Sequence, residues 1–219
     1  MILPGIVAAA ALGAQGFDSD TMLVADTAQA LRQSGFVFAI RYLSRAIGQQ
    51  AGDLSASEAQ TILAAGLALM TVQHCPRPGW APAAALGENY GQAAALNAAA
   101  IGLPQGVTLW LDLEDVAPYA TAADTISYCN AWAAAAESHD FGAGLYVGAN
   151  QPLSGDELYW RLRVTRYWRS ASQVPEIPYR GYCMAQALAP SPVAEIDIDR
   201  DVVMADAFGG LPMWLAPAT

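Results

Sequence analysis

Near-continuous apolar runs of strand length alternate with alanine-rich helical stretches along the whole chain, and this alternation constrains the fold most. The runs are "LGAQGFDSD" (12–20), "GFVFAIRYL" (35–43), "LALMTVQH" (67–74), "VTLWLDLE" (107–114), "GAGLYVGA" (142–149), "VTRYWRS" (164–170), "GYCMAQAL" (181–188) and "AEIDIDRDVV" (194–203). Strands apolar at nearly every position are covered on both faces, which is the signature of parallel strands under helices. Between them lie "SASEAQTILAAG" (55–66), "ENYGQAAALNAAAIG" (88–102), "TAADTISYCNAWAAAAES" (121–138) and "SGDELYWRL" (154–162). Ser55 and Glu58 have the spacing of a capping box, and Gly66 and Gly102 supply stops. Eight such units predict an α/β fold: one compact (β/α)8 TIM-like barrel spanning 1–219, its later units with short or missing helices. A doubly wound open sheet is the runner-up, but no G-x-G-x-x-G follows the first run. Residues 1–14 read as an apolar lead-in to the first strand. A signal peptide is the second reading, although no positive charge precedes the apolar segment.

Composition narrows the function. With 219 residues, 54% hydrophobic and 14% charged, the chain is too apolar for disorder, yet no run reaches the ~18 uncharged apolar residues a membrane span needs. All ten basic residues are arginine, and the net charge of −10 argues against nucleic acid and anionic lipid. Cys75, Cys129 and Cys183 are widely spaced, with no C-x-x-C; they predict free thiols rather than zinc or a disulfide framework.

The polar residues collect at the C-terminal ends of the runs, the edge where parallel barrels build their sites. They are Asp18, Arg41, Tyr42, Gln73, His74, Asp112, Glu114, Tyr146, Trp168, Arg169 and Gln186, with Asp197 and Asp199 closing the last run. Asp112 and Glu114, two residues apart, share one side of their strand. Paired carboxylates in a semi-apolar site suit glycoside hydrolysis, one protonated as general acid and the other ionised. Clustered Asp also suits a divalent metal, and the bland alternative is a set of ion pairs with Arg41 and Arg169. Apolar Leu111, Leu113 and Trp110 and the like charge of Asp112 should raise Glu114 above Asp112, with Trp110 and Leu113 turned to the other face. Trp80 and Trp168 follow strand ends, where a ring can stack on a sugar; Trp132 and Trp160 lie in helical stretches and read as core. His74 beside Cys75 reads as an edge contact rather than a nucleophile's base. His139 reads as a helix-end residue. No G-x-S-x-G elbow supports serine catalysis.

The order of "GFDSD", "GFVFAIRYLSR", "LSASEAQTILAAGLALMTVQH" and "GQAAALNAAAIGLPQGVTLWLDLED" resembles the glycoside-hydrolase-like barrel domain of bacterial and phage proteins. That family is related to the family-25 glycoside hydrolases, the muramidase-type lysozymes. The resemblance runs from about Gly16 to about Val203 and implies roles. Glu114 falls on the general acid, Asp112 on its partner or base, and Asp18 on the first-strand aspartate. Asp197 and Asp199 fall on a final D-x-N, with aspartate replacing asparagine. "SDTM" replaces a tryptophan-containing loop. The resemblance implies peptidoglycan or a related glycan as substrate, action on the cell wall, and no metal or cofactor. Asp199, Asp197, Tyr42, Tyr146, Gln186, Trp168, Trp80 and Gln73 are the expected glycan contacts. The rival readings are a non-catalytic glycan-binding or structural barrel, with phage-tail or secretion-apparatus proteins as partners, and a metal-dependent hydrolase.

Overall fold

The computed structural model describes residues 2–187 and 192–218. Its strands are β1 (Ile6–Ala9), β2 (Gln15–Ser19), β3 (Phe38–Leu43), β4 (Ala68–Gln73), β5 (Thr108–Leu113), β6 (Gly142–Val147), β7 (Arg166–Arg169), β8 (Met184–Ala187), β9 (Asp199–Val203) and β10 (Met213–Ala216). The helices among the described residues are α1 (Ala25–Gln33), α2 (Ala56–Ala64), α3 (Ala84–Ile101), α4 (Ala122–Glu137) and α5 (Gly155–Arg161). Strands β2 to β9 close into an eight-stranded barrel through the β4–β5 pairing. All eight expected runs are its staves. The last residue of the seventh run, Leu188, lies outside the described residues.

Two features depart from a (β/α)8 barrel. Strands β2 to β8 are parallel, but β9 runs antiparallel to both β2 and β8. Helices follow β2 to β6, and α5 has only seven residues. Hydrophobic period reports which faces are covered and is blind to strand direction, so the apolar pattern could not reveal the reversed stave. The lead-in is itself a strand: β1 pairs with β10, which touches β4 at Leu215 and Leu69. Trp214 of β10 packs on Phe38, ring centroids 5.8 Å apart, and joins the inner apolar cluster.

Alternation along each strand separates two cores. Phe38, Ile40, Met70, Val72, Trp110, Tyr146 and Trp168 point inward, whereas Ala39, Leu69, Leu109, Leu111, Leu113 and Leu145 meet the helices. Trp110 therefore shares a face with Asp112, contrary to expectation, because residues two apart on a strand lie on the same side. Trp132 is core as expected, its Nε1–H donating to Gln73 Oε1 at 2.7 Å. Trp160 is 66% exposed: it lies on the outer face of α5. The cysteines are free, Cys129 and Cys183 being buried and Cys75 half-buried.

Ser55 accepts from the Glu58 N–H, but Glu58 does not return the bond. Its carboxylate instead takes Arg41 Nε at 2.6 Å and the Leu23 N–H at 2.8 Å. The complete capping box is at Ser154 and Glu157, opening α5. Helices α3 and α4 approach closely at glycine: a Cβ on Gly91 would overlap the Trp132 carbonyl oxygen. Gly91→Ala gains up to ~1 kcal/mol of helix propensity, but overpacking costs about 1–3 kcal/mol. A net loss of stability is expected, read as a lower urea midpoint; a gain would show that the helices are free to part. Among the described residues no helix is long and apolar enough to cross a membrane.

Candidate active site

The C-terminal ends of the parallel strands form the barrel mouth, and a cavity of about 550 Å³ opens there. Its lining includes Asp18, Ser19, Asp20, Tyr42, His74, Cys75, Asp112, Glu114, Asp197 and Asp199. A smaller hollow of about 220 Å³ shares Tyr42, Asp112, Glu114 and Asp199 and adds Tyr146, Trp168 and Gln186.

Asp18 sits opposite Asp199 in the β2–β9 register. Asp199 begins its strand rather than ending one. It reaches the mouth because β9 is reversed, so the expected position is correct and the expected reason is not. Asp18 is buried, and Gln186 Nε2–H donates to its Oδ2 at 2.8 Å. Tyr42 Oη–H reaches Oδ1 at 3.3 Å, and Tyr146 Oη–H donates to Gln186 Oε1 at 2.9 Å. Tyr146 thus orients the amide that orients the carboxyl. Burial raises Asp18 from 3.8 to about 7; the Gln186 hydrogen bond opposes the rise, and Asp199 adds to it.

Asp112 is the inward residue near the end of β5, and Glu114 follows the strand's last residue. Asp115 takes a φ of 50°, which bends the chain directly after Glu114. Trp80 holds this bend, its Nε1–H donating to the Glu114 carbonyl at 2.9 Å. Gly148 makes room, because a Cβ there would overlap the Glu114 side chain. Burial, then Glu114 and Asp18, push Asp112 well above its ordinary value. Glu114 is less buried, and burial followed by Asp115 raises it. Both carboxyls of the pair are raised. Desolvation dominates, and Asp112 lies deeper.

Asp18, Asp112 and Glu114 take part in none of the ion pairs found among the described residues. Arg41 pairs with Glu58 and Arg169 with Glu176, so the bland ion-pair reading fails. Not every expected contact reaches the mouth. Gln73 is turned outward, and its amide donates to the Ser44 and Tyr90 carbonyls. Trp80 is buried edge-on against Tyr128, and Trp168 is buried beneath Tyr146. Neither tryptophan offers a ring face to solvent. Asp197 is exposed on the rim, its carbonyl accepting from Ser19 Oγ at 2.7 Å. His74 meets Asp53 at 2.7 Å and stacks on Tyr42, an edge contact as expected.

Two residues at the site escaped the sequence. Asp201 lies one inward step below Asp199, fully buried beside Asp18 and Trp168. The i, i+2 alternation of "DIDRD" carried that signal. Cys75 lines the cavity, with Sγ within 4.8 Å of oxygens from both Asp112 and Glu114. No spacing rule announces it, because His74 and Cys75 follow the strand in an irregular loop.

The family model described as Rv2525c-like, glycoside hydrolase-like domain matches residues 29–190. Among solved structures, the Tat-secreted protein Rv2525c of Mycobacterium tuberculosis in complex with L-tartrate superposes with a TM-score of 0.68 at 19% identity. That alignment covers 91% of this chain and 98% of the other. A bacterial lysozyme from Streptomyces coelicolor gives 0.60 at 15% identity, covering 91% and 95%. A family 25 glycosyl hydrolase from Bacillus anthracis gives 0.59 at 13% identity, covering 88% and 89%. These likenesses relate the barrel to lysozyme folds. A search of curated proteins finds no match. With most of its length matched by the family model, the chain belongs to the Rv2525c-like, glycoside hydrolase-like domain family.

Proposed function

We propose that this domain hydrolyses a peptidoglycan-type glycan at the cell wall by carboxyl acid catalysis. One observation carries the reading: Asp18, Asp112, Glu114 and Asp199 line a single open cavity at the barrel mouth. Glu114 is the most accessible raised carboxyl of the set and has room to reach a bound bond. It donates its proton to the leaving glycosidic oxygen. Burial and the neighbouring Asp115 disfavour its ionisation, and Asp18, fixed by Gln186 and Tyr42, places the attacking water. Water adds to the anomeric carbon, and its surplus proton returns to a carboxylate. Tyr42, Tyr146, Gln186 and Asp199 are the proposed glycan contacts, with Asp197 at the rim.

The test is release of reducing ends from purified peptidoglycan. Activity should be greatest on the acid side of neutrality and fall as pH rises through the raised Glu114 pKa, because only the protonated form donates. A chelator should cause no loss of activity; activity lost on chelation would instead make this a metal-dependent hydrolase. The second reading is a non-catalytic glycan-binding or structural barrel, partnered by phage-tail or secretion-apparatus proteins. The burial of Trp80 and Trp168 favours it, since neither indole is open to solvent for stacking on a sugar. Binding to insoluble peptidoglycan with no release from several glycans at any pH would establish that reading.

A further inference from the structure

Cys75 stands beside Asp112 and Glu114 for no reason the hydrolytic reading requires. Its Sγ, one Asp112 oxygen and one Glu114 oxygen lie within 4.8 Å of one another. Donors around a tetrahedral Zn²⁺ stand about 3.3–3.8 Å apart, given bond lengths of ~2.0–2.3 Å. Small rotations of the half-buried Cys75 and Glu114 side chains close that gap. The fixed member is Asp112, which is 6% exposed, and its Oδ1 has no hydrogen-bond partner among the described residues. A buried acceptor without a donor is costly, and a cation satisfies it. The thiol selects the ion: sulfur with two carboxylate oxygens suits a borderline-soft divalent metal, not Mg²⁺ or Ca²⁺.

We propose that Cys75 Sγ, Asp112 and Glu114 form a Zn²⁺ site in the mouth of the barrel, with water completing the coordination from the cavity. On binding, Cys75 gives up its hydrogen bond to the Pro76 carbonyl, now 2.9 Å, and its proton passes to solvent. Any proton held by either carboxyl leaves the same way. The site rests on geometry and not on hydrolysis. Where the hydrolytic reading holds, the ion occupies Glu114 and silences it, so metal binding and acid catalysis exclude each other.

The experiment is Zn²⁺ titration of the full chain by calorimetry, with Co²⁺ as a spectroscopic substitute. One Zn²⁺ per chain is expected, together with a thiolate-to-Co²⁺ charge-transfer band. Cys129 and Cys183 are buried, so that band reports Cys75. Cys75→Ser should remove the band and weaken Zn²⁺ at least ~10-fold, since losing even an outer partner costs about 10–100-fold. Asp112→Asn should weaken Zn²⁺ while keeping the thiolate band at saturating Co²⁺. Circular dichroism checks that both variants fold. No stoichiometric uptake, a Co²⁺ complex without the band, or unchanged affinity in Cys75→Ser would each overturn the site. None of these readouts needs the protein to be an active hydrolase.

Discussion

Glu114→Gln should abolish reducing-end release from peptidoglycan while leaving the circular dichroism spectrum and glycan binding unchanged. The substitution keeps the shape of the side chain and removes only the transferable proton. A positioned general acid contributes about 10²–10⁴-fold in rate, so a residual activity of 1% or less is expected. The backbone anchor survives, because Trp80 donates to the Glu114 carbonyl and not to its carboxyl. The space left by Gly148 still accepts the isosteric amide. Asp112→Asn probes a different step. It replaces a buried carboxyl that already holds its proton with a neutral amide, so the fall of activity at rising pH should stay where it is, with a smaller loss of rate. Wild-type rates in Glu114→Gln would remove Glu114 from the mechanism. They would leave Asp18 and Asp112, the other raised carboxyls on the cavity, as candidate proton donors.

The mouth was legible in the sequence because barrel physics writes it there. Strand β5 is buried at every position, so "TLWLDL" had to be apolar on both faces, and a carboxylate in such a run stands out. What was not legible depends on direction and on parity. In β4 every residue is buried, so nothing in "ALMTVQ" says which alternate set faces inward, and Gln73 proved to be outward. Trp80 lies in the loop after β4 and Trp168 within β7; one clamps a bend and the other fills the barrel. Position along a strand does not report which way a ring points. The reversed β9 needs pairing information: its direction is visible only in the register that sets Asp18 against Asp199 and Gly16 against Asp201. Helix α1 was also missed; its nine residues bury only Ala28 and Leu31, a weak periodic signal.

The second large effect is on stability, and its sign runs against the usual behaviour of surface carboxylates. Burial raises Asp18 from 3.8 to about 7 and pushes Asp112 and Asp201 well above their ordinary values. Below pH ~4 these groups are protonated in folded and unfolded chains alike, and their contribution is intact. Above that, the unfolded chain releases protons that the folded barrel keeps, so the unfolded state gains and stability falls. For Asp18 the fall ends near its folded value of about 7. At 1.36 kcal/mol per pH unit that one group amounts to roughly 4 kcal/mol, a large share of the ~5–15 kcal/mol typical of a domain. Asp201→Asn removes one such group without touching the cavity lining. Its stability should match wild type near pH 4 and exceed it near pH 7.5, in urea midpoints measured across that range. Asp18→Asn should show the same divergence and, on the hydrolytic reading, lose activity as well. The difference between wild type and variant cancels the general repulsion of a chain carrying a net charge of −10. A wild-type advantage that grows with pH would mean that these carboxyls ionise and are paired in the folded barrel. The proton-holding cluster, and with it the acid chemistry assigned to the mouth, would then be wrong. A gain in the asparagine variants would instead show that the fold tolerates instability to keep acids protonated where a glycosidic bond is to be cut.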